Sequence, residues 1–269
     1  MKKRMIDLMD SDKTTTDYEG AVMADFGLST KKHYDVLVVA PGWKPDKIME
    51  DQDVKVTRTA VHSYKSGYEV QGDGFLIGWI QLGAGANRVI DELCLCAVLD
   101  FDKIVFVGAV GALVPELPTG TVCTPSWSIA GNLAGGYLTE DITKYKPFEK
   151  VYPNDPKFVE SVISLAESRG HEVVKAPVFC TDSVYCEYSH MDFIRSFGVS
   201  LIEMETSALY QMADLLEKPA IALLAVSDNN TMGDPLLLRT EEQYDVYDKG
   251  RKKVIPDILI GIAKMRAED

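Results

Sequence analysis

An apolar run ends abruptly in LLAVSDNNTMGDP, Leu223 to Pro235, where Ser227-Asp228-Asn229-Asn230 interrupt it. A carboxylate at the tip of a buried strand can exchange a proton with a ligand. It can equally cap a turn through its side chain. Glu205 stands 23 positions earlier, past a short strand-like stretch and at the head of a helical pattern. There it can accept hydrogen bonds from ligand hydroxyls, or serve as a first-turn acid favoured by the helix dipole. Asp182, in Thr181-Asp182-Ser183 after the apolar PVFC, is a third carboxylate, which can also be structural, bonding loop N–H groups. The histidines His33, His62, His171 and His190 are scattered, and no catalytic role is expected of them. Five cysteines without a C-x-x-C pair indicate isolated thiols of a reducing cytoplasm, with neither a disulfide framework nor a metal site expected.

The elements that must carry these groups alternate between β-rich runs and helical patterns from Asp35 onward. VLVVA, Val36 to Ala40, predicts a buried strand halted by Pro41-Gly42. Strand-like pieces follow between Thr57 and Ile80, divided at Ser66-Gly67 and Gly72-Asp73-Gly74. Val89, Ile90, Leu93 and Ala97 share one face of a helix predicted over Asn87–Leu99. KIVFV, Lys103 to Val107, predicts another buried strand, with GAVGAL after it. A helix over Pro156–Arg169 and a strand over Val173–Cys180 come next. A strand over Ser200–Glu203, a helix over Glu205–Leu216 and a strand over Pro219–Val226 form one unit, and a helix over Val254–Met265 closes the chain.

This alternation predicts an α/β fold, a single domain with a central mixed, mainly parallel β-sheet flanked by helices on both faces. Consecutive parallel strands joined by a helix end on the same edge. Glu205 and Asp228 are therefore expected on one rim, where ligands of open α/β sheets bind. Small residues at other strand tips, Pro41-Gly42 and Gly108-Ala109-Val110-Gly111, would let backbone N–H groups approach such a ligand.

The bulk composition narrows the classes. At 269 residues and 46% hydrophobic, the chain can bury a sizeable core. Its net charge of -13, with no long basic cluster, argues against nucleic-acid binding. The start, MKKRMIDLMDSDK, has no apolar stretch after its basic residues, and no run of 18 apolar residues occurs. A soluble cytoplasmic protein with no membrane partner is expected. Residues 1–34 are polar with little periodicity and are read as an N-terminal extension; residues 35–269 are read as the catalytic domain.

Ile202-Glu203-Met204-Glu205-Thr206-Ser207-Ala208 resembles the Glu-Met-Glu segment of the nucleoside phosphorylase and nucleosidase superfamily. VSDN, Val226 to Asn229, is similar to its Ser-Asp motif, and VGAVGAL, Val107 to Leu113, to its central glycine stretch. FCTDSVY, Phe179 to Tyr185, is similar to its base-pocket segment. The resemblance implies a nucleoside phosphorylase-like fold and cleavage of a nucleoside N-glycosidic bond, with purines slightly favoured. Asp228 would protonate a purine ring nitrogen as general acid, and Glu205 would bind the ribose hydroxyls. Met204 would lie against the sugar and Ile202 beside the base, with Glu203, Phe179, Val184 and Tyr185 completing the substrate pocket. No cofactor is implied beyond inorganic phosphate as co-substrate, and the working form would be a homo-oligomer, a dimer or a trimer of dimers.

The phosphate positions depart from the family pattern. Phe106 and Ala109 stand where an arginine and a serine or threonine are usual. Gly42-Trp43-Lys44-Pro45-Asp46-Lys47 replaces the usual Gly-Asp-Pro-x-Arg loop. Gly42, Gly108 and Ala109 remain to offer backbone N–H groups, with Lys44, Lys47, Arg58 and Arg88 as candidate cations. These departures keep a hydrolytic nucleosidase open, and also a nucleoside-binding protein without turnover. A dinucleotide-dependent oxidoreductase is the competing class, from Gly83-Ala84-Gly85. Arg88 occupies the place of its third glycine, so that fingerprint is incomplete.

Overall fold

The computed structural model describes residues 1–266. The chain opens with helices α1 (Lys3–Ser11) and α2 (Tyr18–Phe26), then strand β1 (His33–Pro41) and the short helix α3 (Pro45–Ile48). Strands β2 (Lys55–Val61), β3 (Ser66–Gly72) and β4 (Phe75–Leu82) lead to α4 (Ala86–Cys96), β5 (Asp100–Ala112), β6 (Val122–Ala130) and β7 (Lys150–Val151). Helix α5 (Pro156–Ser168), β8 (Val174–Cys180), α6 (Met191–Arg195), β9 (Leu201–Glu203) and α7 (Thr206–Leu216) follow. Strand β10 (Ala220–Asn229) and helices α8 (Glu241–Asp248) and α9 (Ile255–Lys264) complete the order. None of the described helices is long and apolar enough to cross a membrane.

The near-continuous apolar runs of the inner strands are explained by where their side chains go. Successive strand residues point to opposite faces. Val36 and Val38 of β1 and Val105 and Val107 of β5 pack with Phe158, Val162, Ile258 and Leu259 of α5 and α9. Leu37, Val39, Ile104 and Phe106 pack instead with Val89 and Leu93 of α4 and Leu209 and Met212 of α7. A strand buried on both faces has no polar position to spare. Each such side chain, fully buried, contributes about 1.5–3 kcal/mol of transfer free energy.

The sheet is mixed, and β5 organises it. Its first half pairs with β1 up to Val39↔Phe106, whereas Gly111 and Ala112 at its far end pair antiparallel with β9. Along its other edge β5 runs parallel to β10 from Ile104 to Ala112. Strand β10 continues antiparallel to β6, β6 parallel to β8, and β8 parallel to β9. The strands β5, β10, β6, β8 and β9 therefore close a ring, while β1, β4, β3 and β2 extend as a wing. Among the described strands five pairings are parallel and five antiparallel, so the sheet is mixed.

Two sequence expectations need correction. GAVGAL was expected after the strand, yet most of it is strand: β5 runs on to Ala112. Strands β9 and β10 are not parallel neighbours joined by α7, since β9 runs antiparallel to β5 and β10 parallel to it. Glu205 and Asp228 still meet, by a different route, because both strands meet β5 at the same residue. Gly111 is partnered by Ile202 on one side and by Asp228 on the other.

Residues 1–34 hold α1, α2 and the first residues of β1. Met5, Val22, Phe26 and Leu28 are fully buried in the cluster that contains α4 and α7. Lys2 donates its backbone N–H to Leu215 at 2.8 Å, and Arg4 donates to the carbonyls of Leu138 and Thr139. A Cβ at Gly67 would lie 1.7 Å from the Phe26 carbonyl oxygen, so α2 can sit against β3 only where glycine stands.

Candidate active site

A cavity of about 190 Å³ opens where β5, β9 and β10 converge. Its floor is the backbone of Gly108-Ala109-Val110-Gly111, and its walls include Ile202–Glu205, Ser227 and Asp228. The small residues of β5 have a packing reason. A Cβ at Gly108 would lie 2.8 Å from the Phe106 ring, and one at Gly111 would lie 3.1 Å from both Asp228 Oδ2 and Ile202 Cγ2.

Asp228 is buried at the end of β10, and Ser227 donates its hydroxyl to Oδ1 at 2.6 Å. Burial raises its carboxyl above the usual range, opposed by the Ser227 hydrogen bond and by the charge of Arg239. A carboxyl so raised retains its proton at higher pH, which a general acid requires.

Glu203 and Glu205 share the turn into α7 and do different work. Glu203 Oε2 accepts from the backbone N–H groups of Glu205 at 2.7 Å and Thr206 at 2.8 Å. Its Oε1 accepts from the Thr206 hydroxyl at 2.8 Å and the Cys180 thiol at 2.7 Å. Expected among the substrate contacts, Glu203 lines the pocket yet has both oxygens committed to the helix start. Glu205 Oε1 accepts from the Gly85 N–H at 2.5 Å, while its Oε2 receives only the longer bond from the Met204 N–H, at 3.3 Å. Burial raises both carboxyls, and the Glu203 charge adds to the rise of Glu205. The Gly83-Ala84-Gly85 loop thus orients a carboxylate from its place before α4.

The remaining predicted substrate residues divide. Met204, Ile202 and Val184 line the pocket. Phe179 lines an adjoining cavity of about 340 Å³ with Phe148 and Phe193, and Thr181 and Glu187 border both spaces. Tyr185 is 80% exposed and borders neither.

Of the predicted phosphate residues, only Gly108 and Ala109 line the pocket. Gly42 is exposed after β1, and Lys44 and Lys47 are exposed around α3. Arg58 is drawn to Asp46 at 2.9 Å and lies 5.4 Å over the Tyr68 ring. Arg88 lies 5.1 Å over the Tyr64 ring. These contacts hold the two arginines elsewhere, and neither a lysine nor an arginine is among the described lining residues. The ring of Phe106 lies at the pocket wall where the family's guanidinium was sought.

Glu187 and Arg239, neither of them expected among the site residues, stand in the pocket wall and near it. Glu187, in the turn after β8, is buried against the pocket, and its Oε2 has no hydrogen-bond partner among the described residues. Burial, then the Asp228 charge, push its carboxyl up to about 7, against a hydrogen bond from Thr181. Arg239 lies close enough to Asp228 for its charge to be felt there. In the sequence, Glu187-Tyr188-Ser189 stand where the resemblance to uridine phosphorylases would place a Gln-x-Arg.

The architecture is that of an α/β protein whose ligand pocket, at the ends of sheet strands, is lined by carboxylates. Residues 60–255 match the profile of the phosphorylase superfamily, and the chain belongs to it. It is similar to the purine nucleoside phosphorylase DeoD-type of Bacillus subtilis, 31% identical over 80 residues, which cover 30% of this chain and 34% of that protein. A longer match, 26% identical over 163 residues, joins it to the purine nucleoside phosphorylase DeoD-type of Limosilactobacillus reuteri and covers 59% of this chain and 62% of that protein. The protein of the same name from Mycoplasma genitalium is 29% identical over 133 residues, 48% of this chain and 53% of its own length. The chain thus spans between about a third and three fifths of the length of these curated relatives.

Proposed function

We propose that the protein cleaves the N-glycosidic bond of nucleosides, purine nucleosides in particular, and transfers the pentose to phosphate. The observation that carries this is the placement of Asp228 and Glu205 in one buried pocket beside Gly111. As the bond from C1′ to the base nitrogen breaks, its electron pair moves into the base. The Asp228 proton then passes to a purine ring nitrogen, which makes the base a neutral leaving group. C1′ develops the oxocarbenium character familiar from glycoside hydrolysis. Glu205 Oε2, which has only one long internal bond, accepts from the ribose hydroxyls. Phosphate oxygen bonds to C1′, and the products are free base and pentose 1-phosphate.

Water as the acceptor is the second reading, and one feature favours it. The described pocket lining carries Glu187, Glu203, Glu205 and Asp228 but no lysine or arginine. A lining without a cation gives an anionic nucleophile no charge-assisted donor. Incubating a nucleoside panel with and without phosphate, and identifying the sugar, tests both. Pentose 1-phosphate supports phosphorolysis, free pentose supports hydrolysis, and no base release from any nucleoside would sink the proposal.

A further inference from the structure

Helix α7 starts at a residue that does not cap it. Glu205 stands at the N-cap, where a side chain ordinarily accepts from the first N–H groups of its helix. Its carboxylate makes no such bond and accepts instead from Gly85 and Met204. The orphan N–H groups go to the tips of two strands. Thr206 donates its N–H to Glu203 at the end of β9, and Ser207 donates its N–H to Cys180 Sγ at the end of β8, at 3.1 Å. The strand register brings these partners together, because Cys180 stands opposite Glu203 in the parallel pair. There the Cys180 thiol donates to Glu203 Oε1 at 2.7 Å and lies 3.4 Å from the Thr206 hydroxyl. A thiol is a weak donor and a weak acceptor, and this one, fully buried, acts as both. Burial, then the Glu203 charge, raise it well above its usual range, so it keeps the proton it donates.

Resting on the nucleoside-cleaving function above, we propose that Cys180 is a positioning residue for sugar recognition. With Glu203 it caps α7 in place of Glu205, and so leaves the Glu205 carboxylate to the pocket. The physical reason is competition for one acceptor. A bare N–H at a buried helix start is costly, and the carboxylate of the N-cap residue is the acceptor that its own chain supplies. With Ser207 unbonded, Glu205 would be drawn onto its own helix and away from Gly85. Cys180 removes that pull by accepting from Ser207, and it steadies Glu203 by donating to Oε1. It does not line the catalytic pocket, so it acts only through these neighbours.

The test compares kcat/KM for adenosine and 2′-deoxyadenosine in the wild-type protein and three variants. Cys180→Ala removes both bonds, Cys180→Val removes them and fills the space, and Cys180→Ser restores a donor and an acceptor. The deoxyriboside has one hydroxyl fewer to offer Glu205 and should lose less. The riboside-to-deoxyriboside ratio should therefore fall about threefold to tenfold in Cys180→Ala and Cys180→Val, the worth of one net hydrogen bond, and recover in Cys180→Ser. An unchanged ratio, even with both activities reduced, would overturn the assignment, as would a serine variant no more selective than the valine one. So would failure of Cys180→Ala and Cys180→Val to fold, since Cys180 would then serve folding alone. Should the wild-type protein cleave neither nucleoside, the proposed function fails by itself, and the Gly85 amide decides. Its N–H reports the place of the Glu205 carboxylate without any substrate. Its hydrogen exchange, measured against the amides of β1, should quicken about tenfold in Cys180→Val and not in Cys180→Ser. Equal protection in the two variants would overturn the inference.

Discussion

Gly85 donates its backbone N–H to Glu205 Oε1 at 2.5 Å, across 120 positions of sequence. The bond ties the loop between β4 and α4 to the start of α7 and fixes one oxygen of the carboxylate. Gly85 has φ of 116°, a backbone conformation open to glycine and strained for other residues. The fixed oxygen leaves Oε2 with only the longer bond from the Met204 N–H.

Glu205→Ala should therefore impair ribose recognition and narrow the discrimination between ribosides and 2′-deoxyribosides. Losing a charged partner of buried hydroxyls costs roughly 1.5–3 kcal/mol. The ratio of kcat/KM for matched ribosides and deoxyribosides is the readout. An unchanged ratio would leave Glu205 a helix-start acid only.

Asp228→Asn should reduce purine release by about 100- to 10,000-fold, the usual contribution of general acid catalysis, with nucleoside binding retained. The asparagine is nearly isosteric beside Gly111 and can still accept from Ser227, so the pocket should persist. Near-native turnover on every active purine nucleoside would remove Asp228 from the acid role.

Glu203→Ala predicts a loss of stability ahead of a loss of chemistry. The substitution strands the N–H groups of Glu205 and Thr206 at the buried start of α7, while the Thr206 hydroxyl keeps its bond with Ser128. Each buried donor left unmade costs about 1–3 kcal/mol, so a loss of at least about 2 kcal/mol is expected by urea denaturation. Glu203→Gln keeps an acceptor and should lose less. Equal stability of Glu203→Ala and wild type would show that water replaces the carboxylate there.

Much of the candidate pocket's lining was legible in the sequence, and the reason is local. Strand β1, helix α4 and helix α7 declare themselves by apolar runs or one-sided periodicity, because their burial follows the same period. Helix α1 buries only Met5 of its nine residues completely, so its polar positions mask it. The far half of β5 was hidden by glycines, which weaken a strand unless close packing, here against Phe106, Asp228 and Ile202, demands them. Pairing partners are non-local, so the meeting of β9 and β10 at Gly111 was beyond local patterns. Glu187 stands in the sequence where uridine phosphorylases carry a Gln-x-Arg, but its unpaired oxygen is displayed only in three dimensions.

Stability should fall as pH rises through the neutral range. A carboxyl raised in the folded state stays protonated there while the unfolded chain has released its proton. The native state then binds more protons, and its advantage is lost with increasing pH. For Glu187 that contribution is complete below its ordinary pKa of 4.5 and disappears as pH passes about 7. Thermal unfolding between pH 5 and 8 should show a declining Tm, and Glu187→Gln should decline less steeply. Parallel curves for the two proteins would place Glu187 in solvent.

The acceptor supplies the last prediction. Phosphate recognition depends on charge-assisted hydrogen bonds, with guanidinium as the strongest donor. Here Arg58 is held by Asp46 and Tyr68, Arg88 lies over Tyr64, and the wall offers Phe106 and Ala109. Within the described lining, what remains for an anion is the backbone at Gly108 and Ala109, with Arg239 near Asp228 outside it. Phosphate should therefore bind weakly, and activity should keep rising with phosphate to high concentration without early saturation. Free ribose should accumulate in phosphate-free buffer wherever water reaches C1′ first. Tight, saturable phosphate activation without hydrolysis would mean that a cation enters from outside the pocket lining. Arg58, released from Asp46 and reaching into the pocket of a neighbouring copy, would be the first to replace. Its substitution by alanine should then abolish the activation while leaving nucleoside binding in place.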